Sequence, residues 1–143
     1  MQNDCIFCGI DQKGIIKKEQ VLMSKDNFNV LLALHPATRG HSLVVPKEHY
    51  DSFAEIPAVL QALLFKTAIN LGEKLKVKLG AKAYTVKVND GLFKLEAGKG
   101  HVGHIHIHVI PRYNTHELLI DKPKKASLNN LKGVKKKILE YLK

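Results

Sequence analysis

The run Gly103-His104-Ile105-His106-Ile107-His108-Val109-Ile110-Pro111-Arg112 sets three imidazoles at alternate positions. Strict alternation of histidine with aliphatic residues is the pattern of a strand with one apolar face. His104, His106 and His108 then share a face at steps of roughly 6.5–7 Å. Ile105, Ile107 and Val109 turn the other way, into a core. Pro111 has no N–H to give to a ladder and is expected to end the strand. Three readings fit such a row: solvated surface histidines, a metal ion gripped by imidazoles at i and i+2, or chemistry on phosphorus. The regularity of the pattern argues against the first. An imidazole is a competent nucleophile near neutral pH, and its neighbours can carry protons or donate to phosphate oxygens. The third reading is therefore favoured.

Cys5-Ile6-Phe7-Cys8 holds the only two cysteines of the chain. In a reducing compartment this spacing marks a metal pair or a redox motif more often than a structural disulfide. A redox pair normally opens a helix after a buried strand, and only four residues precede Cys5. Metal is the better assignment.

Holding a row of histidines rigid takes a sheet, and the chain reads as strands around one long helix. Residues 1–18 carry the cysteine pair and a polar stretch with Gly9 and Gly14, read as a short helical turn and a loop. Val21-Leu22-Met23 is a first strand, and Asp26-Asn27 makes a turn. Phe28, Val30 and Leu32 alternate along a second strand, with Leu31, Ala33 and Leu34 on its other face. His35-Pro36-Ala37-Thr38-Arg39-Gly40 is a loop. His41-Ser42-Leu43-Val44-Val45-Pro46 is a third strand, followed at the surface by Lys47-Glu48-His49-Tyr50. Pro57 suits the first position of a helix, and Leu60, Leu63 or Leu64, Ala68, Leu71 and Leu75 recur at helical spacing to about Lys76. Leu75, Val77 and Leu79 alternate with lysines, which also suits a strand, and Gly80 stops either. Tyr84, Val86 and Val88 alternate in a fourth strand ended by Asn89-Asp90-Gly91. Residues 90–102 read as a loop with Gly91, Gly98 and Gly100, and the histidine strand is the fifth. After the charged stretch 121–126, Ser127 is an N-cap for a helix with Leu128, Leu131, Val134, Ile138 and Leu142 on one face and Lys132, Lys135, Lys136 and Lys137 on the other. Runs of strands with one central helix give an α+β fold: a five-stranded antiparallel sheet, one main helix packed on it, and a C-terminal helix.

At 143 residues the chain is long enough for one domain with a proper core and too short for two. Apolar content of 45% and charged content of 25% are those of a soluble globular protein. No apolar run approaches a membrane span, and Met1-Gln2-Asn3-Asp4 does not open a signal peptide, so a cytoplasmic location is expected. The net charge of +10 comes almost wholly from lysine, arginine standing only at Arg39 and Arg112. Such an excess serves solubility first and polyanion contact second. For the lysine-rich C-terminal helix, a solvated face is the first reading and contact with nucleic acid or an acidic substrate the second.

The histidine run with its trailing Ile110-Pro111-Arg112 resembles the signature of the histidine triad (HIT) family of nucleotidyl hydrolases and transferases, in its bacterial branch. Cys5-Ile6-Phe7-Cys8, Gly40-His41-Ser42-Leu43-Val44-Val45-Pro46-Lys47 and Val88-Asn89 match in order and spacing, so the resemblance runs over residues 5–112. It implies one HIT domain over 1–143, with a core at 1–112 and a basic tail at 113–143, and a homodimer that extends the sheet. It implies His106 as the nucleophile that takes up a nucleotidyl group, with His108 and His41 completing the phosphate-facing cluster and Asn89 contacting the phosphate or leaving group. Cys5, Cys8, His49 and His104 are implied as a zinc site, and two thiolates with two imidazoles make a closed, structural tetrahedron. Two positions depart from the family. Ala33 stands where an acidic residue usually holds the ribose hydroxyls. Gly100-His101 replaces the usual Gln-Ser or Gln-Thr pair, leaving Lys99 or His101 to meet the phosphate or leaving group. The expected function is hydrolysis of a purine nucleotide at its α-phosphate, as a nucleoside phosphoramidate or dinucleoside polyphosphate. The alternatives are a zinc-stabilised nucleotide-binding protein and an enzyme that removes nucleotidyl groups from nucleic-acid ends.

Overall fold

The computed structural model describes residues 5–8, 16–95, 103–115 and 125–141. The alternating segments become β1 (Val21–Ser24), β2 (Phe28–Leu32), β3 (Ser42–Pro46), β4 (Ala83–Val88) and β5 (Ile107–Arg112). They form one five-stranded sheet in the order β1-β2-β3-β5-β4, and every pairing is antiparallel. β5 enters between β3 and β4, so the strand that carries His108 is an interior strand, one in from the β4 edge. Expectation and structure agree on an α+β fold.

Helix α1 (Ala58–Leu79) covers one face. Its buried row is Leu64, Ala68, Gly72 and Leu75, which meets Phe28, Val30, Val44, Ile107 and Val109 of the sheet. Pro57 sits one place before the helix as its cap, where its carbonyl accepts from the Gln61 N–H at 2.9 Å. The ambiguous end resolves as helix, because Leu75 and Leu79 stack at i, i+4 against the core while Val77 is left 79% exposed. Gly80 ends it in the left-handed region at φ 75°. A Cβ on Gly72 would lie 2.4 Å from Tyr84 Cδ2, so glycine is what lets the helix lie this close to β4.

The opposite face is covered by the N-terminal segment. Phe7 closes over Leu31, Leu43 and Val45, with Cys5, Ile6, Ile16, Val21 and Ala33 around them. β2 and β3 are thus buried on both sides, which is why they read as nearly continuous apolar runs.

Four expectations change. β5 starts at Ile107, so His104 and His106 precede the ladder and are not strand residues. Pro111 does not end the strand, which runs on to Arg112. The reason is that β3 has already left the ladder beyond Ser42↔Val109. On that side the Pro111 carbonyl accepts from Thr38 Oγ1 at 2.6 Å, and no strand is there to want the missing N–H. Leu34, expected inside, is 58% exposed. The loop after β4 contains a single helical turn, α2 (Leu92–Leu95).

Ser127 caps α3 (Leu128–Tyr141), its Oγ accepting from the Asn130 N–H at 3.2 Å. Leu128, Leu131 and Val134 of its expected apolar face are exposed, as are Lys132, Lys135, Lys136 and Lys137. Gly9, Gly14, Gly98, Pro123 and Leu142, and the candidate site residues Lys99, Gly100 and His101, lie outside the described residues. Among the described residues, no helix is long and apolar enough to cross a membrane.

Candidate metal centre and histidine site

Cys5 and Cys8 lie on the N-terminal segment, His49 follows β3, and His104 comes just before β5. The fold draws the four together. Cys5 Sγ and Cys8 Sγ each lie 3.4 Å from His104 Nδ1, and Cys8 Sγ lies 3.2 Å from His49 Nδ1. All four donor atoms fall within 4.8 Å of one another. Tetrahedral zinc, with sulfur at about 2.3 Å and nitrogen at about 2.0–2.1 Å, sets its sulfur and nitrogen ligands about 3.5 Å apart. The donor set is therefore positioned to bind a metal ion, and two soft thiols with two imidazoles suit zinc. Both cysteines are free thiols.

The surrounding hydrogen bonds orient the imidazoles for this task. His104 Nε2 donates to the Pro46 carbonyl at 2.7 Å, and His49 Nε2 donates to Asp51 Oδ1 at 2.9 Å. Each ring thereby turns its Nδ1 lone pair toward the thiols, the arrangement that outer partners of metal-bound histidine provide. His104 is wholly buried, and burial pushes its pKa down to about 4, so the neutral, ligating form prevails at neutral pH. Burial raises the Cys5 thiol, against the pull of the Cys8 and Phe7 backbone. A bound cation would supply the charge that releases that proton.

The histidine row divides. Phe7 stands edge-on to His104 at 5.7 Å and to His106 at 5.2 Å between ring centroids. His104 faces the cysteines, while the half-buried His106 and His108 pair with each other at 4.7 Å between ring centroids. A chain of hydrogen bonds assigns the remaining tautomers. The Ala37 N–H donates to His41 Nδ1 at 3.0 Å, so the proton of His41 is on Nε2. That Nε2–H donates to His108 Nδ1 at 2.9 Å, which leaves the proton of neutral His108 on its Nε2. His106 Nδ1–H donates to the His104 carbonyl at 2.9 Å, so the lone pair of His106 is on Nε2. One imidazole thus presents an acceptor nitrogen and its neighbour a donor. His41 is buried, and that burial, followed by the charges of Lys87 and Arg112, holds its pKa below the ordinary 6.5. His41 is therefore neutral at neutral pH.

Register lays out the rest of this face. Leu43 and Lys87 flank His108 across the two ladders. Val88↔Ile107, continued one step, sets the half-buried Asn89 opposite His106. Ala33 lies beside His41, its N–H donating to the His41 carbonyl at 2.9 Å. Over β3 and β2 this face carries Leu43, Val45, Leu31 and the buried Asn29, and over β4 it carries Thr85 and Lys87. Five contributors were not singled out as site residues from sequence: Phe7, the Ala37 amide, Asp51, Lys87 and Arg112. Thr85 and Lys87 do alternate with Tyr84, Val86 and Val88, but only the strand pairing shows that they share a face with His108.

Fold and site together define a class, and the chain belongs to the HIT domain family, whose model matches residues 16–115. Among its relatives is an uncharacterised HIT-like protein of Methanocaldococcus jannaschii, 38% identical over 109 residues, or 76% of this chain and 79% of that one. The adenylylsulfatase HINT3 of Arabidopsis thaliana is 32% identical over 115 residues, covering 78% of this chain and 54% of its own length. Among solved structures, a zinc-bound histidine triad family protein from Mycobacterium smegmatis is similar at TM-score 0.68 and 28% identity, over 85% of this chain and 84% of that one. A protein from Streptococcus mutans is similar at TM-score 0.80 and 25% identity, over 100% and 88%.

Proposed function

We propose that this protein hydrolyses a purine nucleotide at its α-phosphate through a covalent nucleotidyl intermediate on His106. The observation that carries this reading is the tautomer pattern: the His106 ring keeps its lone pair on Nε2, and the His108 ring, 4.7 Å away between centroids, carries its proton on Nε2. In the proposed reaction His106 Nε2 attacks phosphorus in line, the P–Nε2 bond forms and the bond to the leaving group breaks. Water then adds to phosphorus and the P–Nε2 bond breaks, restoring the imidazole. The His108 Nε2–H, held by His41, meets the charge that grows on the phosphoryl oxygens. Asn89 lies toward the leaving group, and Lys99, Gly100 and His101 are assigned to the same side from their sequence positions. AMP release from an adenosine phosphoramidate or a diadenosine polyphosphate tests the reading. Binding of these compounds without AMP release would leave a nucleotide-binding protein instead.

Zinc is the ion we assign to Cys5, Cys8, His49 and His104, and a similar histidine triad family protein from Mycobacterium smegmatis is zinc-bound. It would bind the N-terminal segment to the start of β5 and hold Phe7 against His106. With four protein ligands it has no open position for substrate, so its part is structural.

The nucleoside is placed toward the half-buried Ala33, which offers the ribose a methyl group. Ribo- and 2′-deoxyribonucleotide substrates should be turned over within roughly tenfold of each other, about 1.4 kcal/mol. Competing the two in one reaction checks this, and a hundredfold preference for ribose would show that another residue holds the hydroxyls.

A homodimer through the β4 edge completes the reading. Phe65 and Ile69, 37% and 49% exposed, lie on the flank of α1 that faces this edge, where Phe65 also meets Phe53 at 5.1 Å. Sedimentation should give twice the chain mass, and a monomer at micromolar concentration would remove this part.

A further inference from the structure

Lys87 lies directly across the β4–β5 ladder from His108. Directly opposed residues of an antiparallel pair project to the same face, with Cβ atoms about 4.5–5.5 Å apart. The ammonium is therefore tethered beside the histidine pair, one step along the same face from Asn89. A second cation lies on this side. Arg112 is nine-tenths buried, and its Nε donates to Thr85 Oγ1 at 3.1 Å. Both charges reach the histidines, since Lys87 and Arg112 each depress the basicity of His41. On the other side of β5 the same face carries no charge: Phe7 closes over the buried Leu31 and Leu43, and the half-buried Ala33 lies beside His41. A phosphorus bound at His106 thus sits between an apolar half and a cationic half. The apolar half suits a nucleoside, and the cationic half suits whatever departs from phosphorus.

We propose that Lys87 binds the leaving group and that the favoured substrates are nucleotidyl anhydrides, whose leaving group is itself an oxyanion. This rests on the reading that His106 accepts the nucleotidyl group. The chemistry of departure separates the two substrate classes. When His106 Nε2 bonds to phosphorus in an anhydride, the bridging P–O bond breaks and its electron pair leaves on oxygen. The departing acid anion then needs a positive charge beside it and no proton. An amine leaving a phosphoramidate must instead take a proton, and an ammonium, a weak acid at neutral pH, aids that departure far less than it aids an anion's.

The test compares kcat/KM for adenylyl sulfate with kcat/KM for adenosine 5′-phosphoramidate in wild type, Lys87→Gln and Lys87→Arg. Lys87 is exposed and belongs to neither core cluster, so both variants should fold. The expected result is that Lys87→Gln lowers the anhydride-to-amidate ratio by ~30-fold, the effect of losing one charge-assisted hydrogen bond. Lys87→Arg should recover most of the ratio. An unchanged ratio, or equal loss on both substrates, overturns the assignment of Lys87 while leaving the hydrolase reading in place. A wild-type protein that turns over neither compound overturns the hydrolase reading and this inference with it.

Discussion

Replacing His106 by asparagine should lower turnover by at least ~10³-fold, about 4 kcal/mol of barrier, while the protein still folds and binds nucleotide. Asparagine is small enough for the site, and its amide can donate to the His104 carbonyl as His106 Nδ1 does at 2.9 Å. What it lacks is a nucleophilic nitrogen at the place of Nε2. The neighbours that would bind phosphate, His108 and His41, keep their own bond at 2.9 Å. Steady-state kinetics with any active substrate, alongside a binding isotherm for AMP, separate lost chemistry from lost binding. Retention of more than about a tenth of the wild-type rate would exclude a covalent role for His106.

Removing the metal should affect stability before chemistry. A site that binds only the folded chain contributes about 4 kcal/mol when free zinc is about 1,000 times its Kd. Stripping it should lower Tm by roughly 10 °C in a chain of this size. The loss spreads from the four ligands because the same segment carries Phe7, which is 5% exposed and closes the second-face core over Leu31, Leu43 and Val45. Cys5→Ser should melt early in the same way and retain most of its kcat at low temperature. Metal analysis should find about one zinc per chain. A metal-free protein with both thiols free and an unchanged melting temperature would contradict the assignment.

Much of this was legible in the chain because two periodicities carried it. The alternation of His104 to Val109 announced a strand with a buried aliphatic side, and Ile105, Ile107 and Val109 are indeed buried. The helical spacing of Leu64, Ala68 and Leu75 announced α1. The four metal ligands followed from donor chemistry together with the family's spacing, and they converge. Other features depend on which strands become neighbours, and local pattern does not report that. Pro111 reads as a strand breaker, yet it is harmless where β3 has left the ladder. The row of three imidazoles reads as one surface, yet His104 meets the cysteines while His106 pairs with His108, and Phe7 packs edge-on to both His104 and His106. Lys87 reads as one more solvated lysine until the β4–β5 register sets it across from His108.

The central claim is that His106 becomes covalently bonded to phosphorus. The most direct measurement is a mass spectrum of intact protein quenched at alkaline pH during turnover of an adenylyl substrate, followed by peptide mapping. The account predicts a chain heavier by one adenylyl group, with the label on the peptide that contains His106 and absent from His106→Asn. Turnover with no labelled chain in wild type, or with the label on another residue, would contradict it.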